Sequence, residues 1–189
     1  MKLDDVKAAL TRSHVSYDRK GDEHYNCASA LQKSIRGSDA NAALYWTMRM
    51  FAGGEDPMFI ARRLVRTAAE DVGLGDPQAL PMATAAMQAT QMIGRPECNV
   101  VLAECAVYLA RARKNPEVYS AMNAALKSIQ ECEGNLPAVP LHLRNASTKL
   151  MKDLGYGDGY SYNAAERAKL NVTYMPDEMK GVDFFANTK

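Results

Sequence analysis

The stretch DPMFIARRLVRTAAEDVGLGDP (Asp56–Pro77) contains most of the signals that decide the fold of this chain. It opens with Asp56-Pro57, in which a residue that caps helix N-termini precedes a proline suited to the first helical position. At about 100° per residue its apolar side chains fall on one arc and its arginines on the other, with Phe59 among them. The stretch therefore predicts a helix over 57–72 with a core side and a basic side.

The same start signals recur at Asp76-Pro77 and Asn115-Pro116, whereas strand signals are scarce along the whole chain. Glycines suited to left-handed helix caps separate several of the segments. The sequence therefore predicts helices at about 4–12, 22–36, 39–52, 57–72, 77–93, 96–112, 116–132 and 146–154. Short links between helices favour antiparallel neighbours, so the predicted fold class is all-α, built of stacked antiparallel helical hairpins.

Two of these segments carry a further prediction. Apolar residues surround the axis of 96–112 and leave only a narrow polar strip, which predicts a central, mostly buried helix. Pro81 lies about one turn inside 77–93, where its missing N–H group should kink the helix or delay its start.

Composition and charge narrow the class of protein. The chain has 189 residues, a formal charge of +1 and 47% apolar residues, as in ordinary globular proteins. This excludes disulfide scaffolds and wholly disordered tails, and it argues against a generic polyanion binder. Four cysteines without a CxxC pair or a histidine at ligand spacing argue against zinc and predict free thiols. With neither a signal peptide nor a membrane span evident, we expect a soluble intracellular protein with no membrane partner.

Motifs of catalysis and nucleotide binding are absent from the sequence. It contains no GxxxxGKS/T phosphate loop, no HExxH, no GxSxG and no GxGxxG. Its three histidines are far apart along the chain, and no cysteine or serine has an evident base beside it. We therefore expect a non-catalytic module with no catalytic residue, no metal and no cofactor of its own.

Two basic groups lie in the first half of the chain. Lys33 and Arg36 end the second predicted helix, where cations favour the helix C-terminus, so their simplest interpretation is structural. Arg62, Arg63 and Arg66 share the basic side of their helix, which suits a solvated face, a partner interface or a phosphate-contacting strip. Both groups are candidate DNA contacts.

A third basic group follows in the second half. It surrounds the start of the predicted 146–154 helix and consists of His142, Arg144, Lys149 and Lys152. The free N–H groups of a helix N-terminus attract anions, so helix end and cations together predict an anion site. These four residues complete the candidate DNA contacts.

Charge is missing from one predicted helix altogether. The segment 77–93 combines small alanines with methionines and presents no charged residue to water. Such a surface favours close packing against a second subunit. The candidate subunit contacts are Phe59, Met82, Met87 and Met92.

The pattern changes after Gly134. Two prolines predict an extended run before the short helix, and a Gly/Tyr loop follows over 155–162. Residues 163–189 are weakly patterned apart from Pro176 and an apolar group that includes Phe184 and Phe185, so we expect a tail that docks without folding by itself.

Several strings resemble one known family closely and in the right order. They are SALQKSIRGSD (Ser29–Asp39), ALYW (Ala43–Trp46), GGEDP (Gly53–Pro57), ARRL (Ala61–Leu64), EDVGLGDP (Glu70–Pro77) and PLHLRNASTKLMKDLGYG (Pro140–Gly157). The chain resembles the C-terminal part of the AAA+ ATPases called replication-associated recombination protein A in bacteria and Werner helicase-interacting protein in eukaryotes, also known as maintenance of genome stability proteins. The tail ending Gly181–Phe185 looks more like the eukaryotic branch.

The resemblance implies a domain organisation. Residues 1–12 would end the ATPase lid, about 18–160 would form a helical oligomerisation domain related to the clamp-loader collar, and 161–189 would be a C-terminal tail. Departures from the family pattern are small: Gln32 replaces the usual histidine, Ser147 replaces the usual proline, and Asn115-Pro116 follows a stretch that usually carries an earlier proline.

The resemblance also implies partners and location. The family assembles as a homotetramer and acts on DNA at stalled forks and at junctions of single and double strands. ATP and Mg²⁺ would belong to the full-length protein, because the Walker motifs would lie upstream of Met1. The compartment would be the nucleus for a eukaryotic protein and otherwise the cytoplasm.

Three hypotheses follow for this chain. The first is an oligomerisation module that fixes ATPase domains around DNA, with the 39–112 helices forming its core and part of its subunit contact. The second is direct DNA binding through the three basic groups. The third is a docking platform for replication and repair proteins, with the Tyr156–Tyr162 loop and the Phe184-Phe185 tail as exposed aromatic contacts.

Overall fold

The computed structural model describes residues 22–167, 169–170 and 172–186. The helix predicted at 4–12 and the predicted end of the ATPase lid lie outside these residues. The described chain separates into two compact units, with the boundary between Ala121 and Met122. No strand occurs in the described ranges, which confirms the all-α class.

From residue 22 onward, the first unit contains five complete helices joined by short links, as expected of stacked hairpins. They are α1 (Asp22–Arg36), α2 (Ala40–Ala52), α3 (Pro57–Thr67), α4 (Ala79–Ile93) and α5 (Cys98–Arg111). A sixth helix, α6 (Glu117–Gln130), contains the boundary between the units. All six agree with the predicted segments to within a few residues, except that the 57–72 helix changes form at Ala68.

Polar side chains fix where these helices begin. The carboxylate of Asp39 accepts a hydrogen bond from the N–H group of Ala42 at 2.9 Å, and Asp56 accepts one from Met58 at 3.0 Å. Each bond satisfies one of the free N–H groups of a first helical turn. The Asp56 cap is the reason why the Asp56-Pro57 signal in the sequence predicted the start of α3 so closely.

The core of the first unit centres on α5, which contacts α1, α2, α3 and α4. Leu102, Cys105, Ala106 and Leu109 on this helix are fully buried, as the pattern of 96–112 predicts for a central helix. Val100 remains exposed, so one side of α5 faces water. The other buried residues come from the facing sides of α1 to α4.

Three threonines are buried within this apolar core. Thr47, Thr67 and Thr90 each donate their hydroxyl to the backbone carbonyl four residues earlier in the same helix, at 2.8 Å. A buried hydroxyl without a partner would destabilise the fold, so these internal bonds make the threonines compatible with the core.

The start of α4 shows how the fold accommodates Pro81. The helix begins at Ala79 instead of Pro77, so Pro81 lies in its first turn, where an N–H group has no intrahelical partner. The proline therefore delays the helix start, one of the two outcomes expected from its position.

A π-helical segment, Ala68–Val72, and a short 3₁₀ turn, Gly73–Gly75, separate α3 from α4. This region lies against the backbone that leads into α6. A Cβ atom built on Gly75 would lie 2.4 Å from the carbonyl oxygen of Arg113, and one on Gly73 would lie 2.5 Å from that of Asn115. Only glycine permits such a close approach of two backbones.

The second unit, residues 122–186, consists mainly of turns. Beyond the end of α6 it contains two short helices, α7 (Lys149–Asp153) and α8 (Ala164–Arg167), and 3₁₀ turns at Leu141–Leu143 and Asp177–Met179. The helix predicted over 146–154 is thus shorter, because Thr148 caps it by accepting a hydrogen bond from the N–H group of Met151 at 3.2 Å. Among the described residues of this unit, none is buried.

Candidate functional surfaces

The basic side of α3 is balanced by carboxylates and amides of the same chain. Arg66 donates to Glu70 at 2.8 Å, and an Nη atom of Arg62 lies 3.7 Å from a carboxylate oxygen of Asp56. These two ion pairs are solvent-exposed on the arginine side, so each stabilises the fold only weakly. They nevertheless reduce the positive potential that a phosphate would meet at this face.

Arg63 and Arg36 are held more firmly. Arg63 donates to the side-chain oxygen of Gln32 at 2.6 Å, and Gln32 in turn donates to buried Asp71 at 3.1 Å. Arg36 donates to Asp71 and also to Glu70. The hydrogen bond to Asp71 raises the pKa of the Arg36 guanidinium, which keeps this residue charged.

These contacts form one network across α1, α3 and the π-helical segment. It explains the presence of Gln32, whose amide can donate and accept at once between an acid and an arginine. Lys33, by contrast, is exposed and forms no ion pair with the described residues. DNA contact by the five cations of the first two basic groups stays a prediction. All of them except Lys33 already have a partner in their own chain, and these four are Arg36, Arg62, Arg63 and Arg66.

The third basic group lies in the second unit, where the structure brings three of its members together. His142, Arg144 and Lys152 line one cavity of about 860 Å³. Lys149 is exposed at the start of α7 and is not part of the lining. Arg144, Lys149 and Lys152 form no ion pair with the carboxylates of the described chain, unlike the arginines of α3.

Sequence reasoning did not connect this cavity with the tyrosines that share its lining. They are Tyr156, Tyr160, Tyr162 and Tyr174. The first three belong to the predicted Gly/Tyr loop, and the signal for their convergence is the set of glycines with positive φ at 155, 157 and 159, which turn the chain repeatedly. Tyr174 lies far along the chain and had no such signal.

The candidate subunit contacts divide between core and surface. The ring of Phe59 packs against the ring of His24, with their centroids 4.3 Å apart, and Phe59 and Met87 both contact the core of the first unit. Met82 is half-buried. Only Met92 of the four is open, with 85% of its surface exposed.

The outward side of α4 is continuous and uncharged. This side consists of the exposed residues of the helix, which are Leu80, Pro81, Thr84, Ala85, Gln88, Gln91, Met92 and Ile93. On a helical projection the first seven occupy one arc, opposite the buried Ala79, Ala83, Ala86 and Thr90. We call this set the α4 face.

A second apolar strip, which the sequence analysis missed, lies on α6. Met122, Leu126 and Ile129 are exposed and follow the spacing that places side chains on one side of a helix. The strip belongs to the second unit, and its spacing of four and three residues is the local signal by which the sequence indicates it.

Membrane spans and metal sites are two further classes of functional feature. Among the described helices, none is long and apolar enough to cross a membrane. The same part of the chain contains no group of three histidine, cysteine or acidic side chains that could hold a metal ion.

Comparison with known proteins identifies the family. A family model described as MgsA AAA+ ATPase C terminal matches residues 37–189, and another described as AAA C-terminal domain matches residues 1–36. The chain is 47% identical over 178 residues to the protein named ATPase WRNIP1 from Dictyostelium discoideum. The aligned region covers 93% of this chain and 20% of that protein.

Bacterial relatives are similar at almost the same level. Replication-associated recombination protein A is 41% identical over 182 residues in Coxiella burnetii and 42% identical over 174 residues in Escherichia coli K12. These matches cover 95% and 91% of this chain, but only 41% and 38% of the relatives. The chain therefore spans less than half the length of these relatives, and it belongs to the family of MgsA AAA+ ATPase C-terminal domains, shared by replication-associated recombination protein A and WRNIP1.

Proposed function

We propose that this chain is the self-association module of a AAA+ ATPase that acts in replication and recombination. The observation that carries the proposal is the α4 face, a helix surface without charge that is held rigidly by its buried side on the core. The names of the relatives supply the biological setting, an ATPase associated with replication and recombination.

The chemistry of the α4 face supports contact with a second protein surface. No ion has to lose its water when this face is covered, so the desolvation cost is small. Burial of apolar surface favours association by roughly 25 cal/mol per Å² before the entropy cost of binding. Exposed methionine adapts its shape to a partner more easily than branched side chains do.

A homotetramer is the assembly that the family resemblance implies. A closed ring of four copies needs each subunit to offer more than one contact when the contacts are head-to-tail. The α6 strip of Met122, Leu126 and Ile129 is the natural second surface for this purpose. ATP and Mg²⁺ would be bound by the ATPase domain of the full-length protein and not by these residues.

The test is the molar mass of this chain in solution, measured by light scattering and sedimentation velocity at tens of micromolar. We expect a species larger than the monomer. The double variant Leu80→Glu/Met92→Glu should return it to the monomer, because each glutamate would lose water on burial.

A matched control places a charge on an exposed residue of α1, away from both proposed surfaces, and this variant, Asn26→Asp, should leave the mass unchanged. The pair Met122→Glu/Leu126→Glu reports separately on the α6 strip. A strict monomer for the unmodified chain at these concentrations would overturn the proposal.

A second candidate function, contact with DNA, is favoured by the cations of the second unit. Arg144, Lys149 and Lys152 have no carboxylate partner in the described chain, so their charge is available to phosphates. We infer that forked DNA, or a junction of single and double strands, is held near this unit. The change Lys149→Glu should weaken binding to forked DNA and reduce its salt dependence, whereas Arg62→Glu, at an already paired position, should do so less.

A further inference from the structure

The cavity of the second unit combines aromatic rings with cations in a way that the family assignment does not explain. The 3₁₀ turn Leu141–Leu143 forms one wall, and the glycine-rich loop after α7 forms the other. The loop is fastened to this wall because the N–H group of Gly157 donates to the carbonyl of Leu141 at 2.9 Å. The lining therefore has a defined shape, although none of its residues is fully buried.

Arg144 is the fixed cation of the cavity. Its Nε donates to the carbonyl of Val139 at 2.6 Å, one Nη donates to the hydroxyl of Tyr156 at 3.2 Å, and the guanidinium lies 5.3 Å from the centre of that ring. These contacts hold the plane of the guanidinium, while its other Nη has no hydrogen-bond partner among the described residues. An arginine held in this way is ready to donate to an incoming anion.

The tyrosines offer ring surface to a ligand. Tyr160 and Tyr162 meet edge to face, with centroids 5.3 Å apart and ring planes at 88°. Tyr162 keeps 83% of its surface exposed. Because a T-shaped pair leaves ring faces open, a third flat ring can stack there. Tyrosines that served only to build a core would be buried, and these are not.

The charge of the lining favours an anion. Arg144 and Lys152 carry positive charge, and Asp158 is the single acidic residue among the lining residues. His142 is engaged through Nε2 with the carbonyl of Thr173 at 2.7 Å. Neither cation forms an ion pair with a carboxylate among the residues that the structure describes, so nothing in that part of the second unit neutralises their charge.

A ligand that satisfies both features has a flat aromatic ring joined to an anionic group. We propose that this cavity binds one unpaired nucleotide of single-stranded DNA, with the base against Tyr160 and Tyr162 and the phosphate on Arg144 and Lys152. This rests on the DNA contact inferred above and names its site and its preferred form of DNA. The volume of the cavity falls within the range of small-molecule sites in proteins, and stacking on tyrosine tolerates every base.

The experiment measures binding of the whole chain to a labelled oligothymidine and to a blunt duplex of equal length, by fluorescence anisotropy at two salt concentrations. The variant Tyr162→Ala should weaken single-strand binding by about tenfold, because one stacked base contributes that much. Duplex binding should stay unchanged. Tyr162→Phe keeps the ring and should keep the affinity.

Lys152→Gln should weaken single-strand binding and reduce its salt dependence by about one ion, since one phosphate contact is lost. The matched control is Tyr45→Ala, which removes an exposed tyrosine from α2 in the first unit and should have no effect. Circular dichroism confirms that each variant keeps its helix content.

Three outcomes would overturn the inference. The first is unchanged single-strand affinity in both Tyr160→Ala and Tyr162→Ala. The second is an equal loss of single-strand and duplex binding in these variants, which would indicate a general effect on the unit. The third is equal weakening by Tyr45→Ala. Light scattering on the same samples separates a loss of DNA binding from a loss of self-association. The tyrosine variants should keep the molar mass of the unmodified chain.

Discussion

Residues 22–121 and residues 122–186 differ in how they are held together. Every buried residue of the described chain lies between His24 and Ala121, and most of them lie on α1 to α5. In the second region none of the described residues is buried, and turns, short caps and local hydrogen bonds fix its structure. The first region can therefore serve as a rigid scaffold, whereas the second presents its side chains outward, where partners and ligands can reach them.

The four cysteines report this difference most directly. Cys27, Cys98 and Cys105 are buried in the first region, and burial raises the pKa of the Cys105 thiol to about 12. Cys132, in the second region, is only half-buried. We expect alkylation of the native chain to modify Cys132 first and Cys105 at least about a thousandfold more slowly, because Cys105 reacts only after unfolding. Mass spectrometry of timed samples gives both rates.

The next comparison truncates one leucine in each region. Leu102 is fully buried, so Leu102→Ala should lower the free energy of unfolding by about 2–5 kcal/mol through lost apolar burial and a cavity. Leu150 is 67% exposed, and Leu150→Ala should change the free energy of unfolding by less than about 0.5 kcal/mol. Urea denaturation monitored by circular dichroism measures the free energy of unfolding of both variants. Equal losses would contradict the distinction between a region with a buried core and a region without one.

A third comparison concerns glycine. In Gly75→Ala the added methyl group would lie against the carbonyl oxygen of Arg113, and we expect a loss of about 3 kcal/mol. Gly134 has a positive φ but nothing within 4 Å of the added atom, so Gly134→Ala should cost about 1 kcal/mol. The shift in thermal midpoint of each variant tests this order.

The smallest expected effect depends on pH. The hydrogen bond from Tyr108 at 2.7 Å, followed by one from the N–H group of Gln78, lowers the pKa of Asp76. A carboxyl whose pKa is lower in the folded state stabilises the fold at neutral pH, and this contribution disappears as the pH falls below about 4. Asp76→Asn should therefore flatten the acid side of the stability curve. Tyr108→Phe should flatten it less, because the Gln78 bond remains.

The sequence predicted the helices well because their signals are local. Asp56 caps the helix that it was expected to start, and the buried side of α4 follows its alanine spacing. The change to a π-helix at Ala68 has no such signal. It accompanies contacts with another part of the chain, where Asp71 accepts from Gln32 and Arg36.

The sites were harder to predict than the helices. Phe59 falls on the basic side of α3 by helical pitch, yet His24 from α1 covers it, and no pattern within 57–72 shows this. Arg63 of the same helix looks available in the sequence, but its partner Gln32 lies on α1, whereas the pairing of Arg66 with Glu70 follows the local spacing of four residues. The tyrosine cavity joins three separate loops, so its existence depends on tertiary structure that periodicity does not describe.

The three buried threonines have a mechanical consequence for the first region. Thr47, Thr67 and Thr90 direct their hydroxyl groups back into their own helices, so none of them ties one helix to another. The helices of the first region are therefore held against one another by apolar packing and by side chains other than these threonines. The scaffold that carries the α4 face therefore keeps its arrangement of helices independently of these three hydroxyl groups.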